Sequence, residues 1–168
     1  LRYGDPLDPA TTLAPMHRAD LRQKLHTQVQ NTLACGATLL CGGHIPPGPG
    51  TFYPATVLDH VPPESPAAQE ELFGPAAAIL RARDAEHAFA LANGNPYGLG
   101  ASIYTADETA ALRLAEKLHT GAVCINRHTS SDLRLPFGGV KHSGYGRELS
   151  EFGLYEFANI KTYRQNQI

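Results

Sequence analysis

Cysteine is scarce in this chain of 168 residues. Cys35, Cys41 and Cys124 are the three present, and no two of them have CxxC spacing. An odd, scattered set argues against a disulfide framework and against a zinc ribbon. The eight histidines never fall at i and i+4, so no helix-borne metal pair is predicted and no metal site is expected. Charge of one sign is lacking as well. A formal net charge of −2 gives no electrostatic basis for binding nucleic acid or an anionic membrane surface. No apolar run approaches the roughly 20 residues needed to cross a bilayer, and no basic-then-apolar leader opens the sequence. A cytoplasmic location is the resulting expectation. Position 1 is leucine, not methionine, which predicts a piece of something longer. No internal repeat is visible.

What is present describes an ordinary globular chain, 42% apolar and 18% charged, long enough for one core or for two lobes sharing a core. Residues 14–35 read as a helix, with Leu21, Leu25, Val29 and Leu33 four apart along one face and Gly36 placed for a left-handed C-cap. Leu39-Leu40 is a short strand candidate before the Pro/Gly loop 42–50. Residues 51–58 look extended, with Pro54 favouring an edge or irregular strand. From residue 76 a strand, helix, strand, helix, strand rhythm follows: 76–82, 84–93 with Asp84 as N-cap, 101–104, a helix opened by the capping box TADE at 105–108, and 122–126. Short connections in that order imply an α/β fold with parallel pairing and right-handed crossovers. Ligands bind beyond the carboxyl ends of such strands, where Asn126 and the loop 127–139 fall. Residues 147–158 read as a helix interrupted by Gly153, and 161–165 as an exposed strand.

Two stretches are candidates for chemistry. LPFGGVKHSGYGRE at 135–148 packs Gly138, Gly139, Gly144 and Gly146 into one loop, a density that calls for positive φ or close backbone approach. It fails as a phosphate-binding P-loop, because Tyr145 stands after Gly144 where lysine is required. EELFGP at 70–75 places a carboxylate and an aromatic before a Gly-Pro corner that holds them in fixed directions.

Taken with NPYGLGASIYT at 95–105, GAVCIN at 121–126 and PFGGVKHSGYGRELSEFGLYEFANIKT at 136–162, these stretches resemble the NAD(P)-dependent aldehyde dehydrogenases, in detail the bacterial succinate-semialdehyde branch. The resemblance implies the C-terminal third of such an enzyme: a partial catalytic domain over 1–158, parallel-sheet α/β in class, and a C-terminal oligomerisation strand over 159–168. The same resemblance implies that the cofactor-binding domain is not among these residues. It implies NAD or NADP as cofactor of the full-length parent and an aldehyde, in this branch succinate semialdehyde, as the substrate oxidised to its acid. A homo-oligomer, dimer or tetramer, would form through the terminal strand. Carried over position by position, Glu71 would accept the hydroxyls of the nicotinamide ribose, and Phe73 would pack beside that ribose. Phe137 would line the aldehyde pocket, whose far end would be shaped by the loop between Asn126 and Phe137. Ser131, and more weakly Arg134, would meet a substrate carboxylate. The family's nucleophilic cysteine, in a Gly-Gln-x-Cys context, has no counterpart among Cys35, Cys41 and Cys124, so no catalytic residue is expected in this chain. The alternative is a non-catalytic truncated relative that acts as an interaction module.

Overall fold

In the computed structural model, which describes residues 1–166, helix α1 (Ala19–Ala34) supplies the face on which the first half is built. Leu25 and Val29 are buried there beside Gln28 and Thr32, the i, i+3, i+4, i+7 set that one helical stripe buries. The helix starts later than its periodicity predicts. Residues 14–18 are tied instead to the chain at Thr51, whose carbonyl accepts from the Met16 amide and whose hydroxyl donates to the Met16 carbonyl. Gly36, at φ +104°, follows the C-cap as expected.

Strands β1 (Thr38–Cys41), β2 (Thr56–Asp59) and β3 (Ala76–Ala78) form a sheet in that order, β1–β2 antiparallel and β2–β3 parallel. The central strand is β2. Pro54 lies just before it, so the proline neither breaks the ladder nor consigns the strand to an edge. Tyr53, Leu58 and Val61 join Leu25 and Val29 in the core of this half. A short helix α2 (Pro66–Gln69) docks on α1, the Ala67 amide donating to the Thr32 hydroxyl at 3.0 Å.

The chain divides into two compact units, Leu1–Leu91 and the part from Ala92 onward, with α3 (Ala85–Asn93) running across the division. Asp84 accepts from the His87 amide at 2.7 Å, the N-cap bond its position predicts. In the second unit, β5 (Gly100–Ile103) pairs in parallel with β6 (Ala122–Ile125), linked through α4 (Glu108–Ala115). Strand β4 (Tyr97–Gly98) pairs antiparallel with β7 (Val140–Lys141). The β5–α4–β6 unit is the expected parallel crossover. It does not extend to β3, which pairs with β2 instead, so among the described residues the strands fall into three separate sheets.

Three local expectations shift. The N-cap of α4 is Asp107, which accepts from the Ala110 amide, and Thr105 accepts from the Asp107 amide one step earlier. Helix α5 (Ser150–Tyr155) is shorter than 147–158, because Glu148 is drawn into a bridge with Phe137 and Leu149 and Ser150 hold positive φ. Residues 161–165 carry no strand, since a strand is completed by a partner's hydrogen bonds and none is made here among the described residues. The last two positions of the expected 159–168 strand lie outside those residues.

Candidate cofactor and substrate site

The corner at 70–75 is gripped by α1. The buried Gln28 amide donates from Nε2 to Glu70 Oε2 at 2.7 Å and to the Glu71 carbonyl at 3.2 Å. A Cβ at Gly74 would lie 2.5 Å from Leu25 Cδ2, so any larger residue there would have to displace the Leu25 side chain. Between these anchors Glu71 is exposed, and its carboxylate has no hydrogen-bond partner among the described residues. Phe73 is 63% exposed and borders an apolar recess of about 390 Å³ shared with Leu13, Pro15, Met16, Leu21 and Leu72. A free carboxylate beside an exposed ring and an apolar wall fits a ribose diol with a planar heterocycle attached. Both carboxylate oxygens can accept hydroxyl protons, and the ring offers a face to pack on.

In the second unit Phe137 is half-buried and exchanges both backbone hydrogen bonds with Glu148, each 2.8 Å. Arg147 closes the glycine loop by donating from Nη1 to the Gly139 carbonyl at 2.9 Å and to the Gly146 carbonyl at 2.6 Å. The glycines have separate causes. Gly144 sits at φ +111°, whereas Gly138 presses its carbonyl against Gly121, where a Cβ would come within 1.7 Å of the oxygen. Phe137, Leu99, Tyr145 and Phe157 border a recess of about 400 Å³. Asn126, Ser131 and Arg134 do not line it.

Asn126, expected among the substrate-pocket residues, is engaged by the chain around β5 and α4. Its Oδ1 accepts from the Thr105 amide at 2.9 Å, and Nδ2 donates to the Thr105 carbonyl at 2.9 Å and to Glu108 Oε1 at 3.0 Å. With both amide protons engaged, Asn126 clamps the end of β6 to the β5–α4 connection. Its φ of +53°, which asparagine tolerates, turns the chain into the loop that follows. Arg134 is bound bidentately to Asp132, with Nε–Oδ1 at 3.0 Å and Nη2–Oδ2 at 2.7 Å. That guanidinium holds the Asp132 carboxyl well below the usual carboxylate range, helped by the Arg134 amide and the charge of Arg127. A substrate carboxylate would have to compete with Asp132 for Arg134. Ser131 is exposed, and its hydroxyl makes no hydrogen bond among the described residues. Glu71 and Phe73 belong to the first unit and the other four candidates to the second.

Sequence reasoning missed Gln28, Arg127 and Arg147. Gln28 was signalled by a polar residue three positions after Leu25 on an otherwise apolar stripe. Arg127 follows Asn126 at the strand end, and its Nη2 donates to Ser130 Oγ at 3.0 Å.

The profile of the aldehyde dehydrogenase family matches residues 1–163. The chain is 55% identical over its full length to the succinate semialdehyde dehydrogenase [NAD(P)+] of Escherichia coli K12, covering 36% of that protein. It is 50% identical over 161 residues to the succinate-semialdehyde dehydrogenase [NADP(+)] of Deinococcus radiodurans, covering 34% of it. The chain thus spans about a third of the length of the curated relatives it matches. Among solved structures, the succinic semialdehyde dehydrogenase of Streptococcus pyogenes in complex with NADP+ superposes with a TM-score of 0.92 at 40% identity, over 98% of this chain and 36% of that one. The betaine aldehyde dehydrogenase of Staphylococcus aureus in complex with NAD+ does so with a TM-score of 0.87 at 33% identity, over 93% of this chain and 32% of that one. This chain belongs to the aldehyde dehydrogenase family.

Proposed function

We propose that these residues serve an NAD(P)-dependent oxidation of succinate semialdehyde to succinate. In the net reaction the aldehyde carbon loses a hydride to the dinucleotide, water supplies the second oxygen, and protons are released. The carrying observation is identity of 50% and 55% with two succinate-semialdehyde dehydrogenases across essentially the whole chain. The dinucleotide supplies the hydride acceptor. Glu71 holds its ribose through two hydroxyl hydrogen bonds, and Phe73 packs beside it. Phe137 forms an apolar wall that keeps water from the reacting carbon. None of Cys35, Cys41 and Cys124 stands in the Gly-Gln-x-Cys context of the family's nucleophile, so this reading assigns no catalytic cysteine to these residues.

For the substrate's far carboxylate the loop offers Ser131, whose hydroxyl is uncommitted, and Arg127, which donates to the Ser130 hydroxyl and lies within reach of the Asp132 charge without a bidentate partner among the described residues. Arg134 is the weaker candidate because Asp132 already occupies it. A cytoplasmic location belongs to the same proposal, supported by three cysteines that remain free thiols; among the described residues no helix is long and apolar enough to cross a membrane. So does a homo-oligomer, supported by the exposed Phe157, Ile160 and Tyr163 near the chain end.

The test uses the full-length enzyme with succinate semialdehyde and with butyraldehyde, which has the same carbon count and no carboxylate. Ser131→Ala is expected to raise KM for the semialdehyde by roughly tenfold, the loss of one hydrogen bond to a charged group, and to leave butyraldehyde unaffected. Equal effects on both aldehydes would refute the loop as a carboxylate reader.

A further inference from the structure

We propose that Gln28, on a helix outside the cofactor-contacting corner, is a positioning residue for the dinucleotide. Its amide sets the peptide that directs the Glu71 side chain toward the ribose. The proposal rests on the reading of Glu71 as the ribose contact.

Gln28 is 5% exposed, and both of its acceptors, the Glu70 carboxylate and the Glu71 carbonyl, lack a proton to give. The amide orientation is therefore forced, with Nε2 facing both. The bond to Glu70 is charge-assisted and anchors the start of the corner. The bond to the Glu71 carbonyl reaches the site itself. Holding that carbonyl restrains the peptide plane after Glu71, and so narrows ψ at Glu71 and the directions in which its side chain can leave the backbone.

Leu25 lies three residues earlier on the same stripe and meets Gly74 at the other end of the corner. Thr32, four residues later, donates to the Gln28 carbonyl at 2.8 Å and accepts from the Ala67 amide at 3.0 Å, which fixes α2 to that stripe as well. One face of α1 thus holds the approach at 67, the entry at 70–71 and the exit at 74. Glu71 and Phe73 are left exposed between fixed points.

The full-length enzyme tests this through binding of NADPH or NADH, whichever the parent binds more tightly, titrated by fluorescence without aldehyde. Gln28→Ala removes both bonds and is expected to raise Kd roughly five- to tenfold, with kcat at saturating dinucleotide within about twofold of the parent. The double exchange Gln28→Glu with Glu70→Gln inverts donor and acceptor between 28 and 70 but leaves no donor for the Glu71 carbonyl. It is expected to recover thermal stability and not dinucleotide affinity. Recovery of both together would overturn the proposal and make Gln28 a stability contact only. Weakened binding in Glu71→Gln with parent-like binding in Gln28→Ala would also overturn it and leave the ribose contact standing. Parent-like binding in Glu71→Gln would instead remove the ribose contact itself.

Discussion

An alanine at position 121 would place its Cβ 1.7 Å from the Gly138 carbonyl oxygen and 2.7 Å from the carbonyl carbon. Neither atom belongs to a side chain that could rotate aside, so backbone must move. Gly121→Ala is expected to cost roughly 3 kcal/mol of stability, read as a lowered urea midpoint with unchanged slope. A parent-like midpoint would show that the start of β6 and the glycine loop are not in rigid contact. EELFGP pointed to Glu71 and Phe73, and the structure leaves both exposed while Glu70 is committed to Gln28. The clamp by Asn126 was not legible, because its partners at 105 and 108 are distant in sequence and meet it only once β5 and β6 pair. The same holds for Gln28, whose acceptors lie more than 40 residues away.

At the scale of elements, the end of β2 is joined to the chain beyond β3 by Asp59 and Arg81. The pair is bidentate, with Nε–Oδ1 at 2.9 Å and Nη2–Oδ2 at 2.5 Å, and the His60 amide adds a bond to Oδ1 at 2.7 Å. The Arg81 hydrogen bond, followed by that amide, pushes the Asp59 pKa down to about 2. A folded pKa below the unfolded value of about 3.9 gives stability that is present above pH 4 and fades as pH falls toward 2. The urea midpoint should therefore drop between pH 4 and 2, and Asp59→Asn should flatten that part of the profile. An identical slope in both proteins would assign the acid loss to other carboxylates.

The presence of α1, α3, α4 and α5 was readable, because apolar stripes and caps are local, whereas the start of α1, the ends of α4 and α5 and the short α2 were not. What misled were places with two local solutions. Thr105 and Asp107 both suit an N-cap, and Asp107 takes the role while Thr105 caps the turn before it. Residues 147–149 suit a helix, but pairing of Glu148 with Phe137 removes them from it. Strand partners were the least legible. Local pattern says that residues 76–78 are extended but not that β2, rather than β5, will lie beside them.

Across the whole molecule, large apolar side chains stay on the surface. Phe152, Leu154, Tyr155, Phe157, Ile160 and Tyr163 are all more than half exposed within the last described residues. Such a concentration is expected to drive association. The 168-residue chain expressed alone should sediment as species larger than monomer at micromolar concentration. A monomer whose sedimentation coefficient is independent of concentration would show that this surface is tolerated in water. The division after Leu91 was not legible either, because the helical pattern of 84–93 runs across it without a Pro/Gly linker. The meeting of Gly121 with Gly138 has one more consequence, for descent. A side chain gained at 121 collides with main chain, which is made of the same atoms whatever residue occupies 138. No exchange of a side chain at 138 removes that collision, so a change at 121 has to be absorbed by movement of the main chain itself.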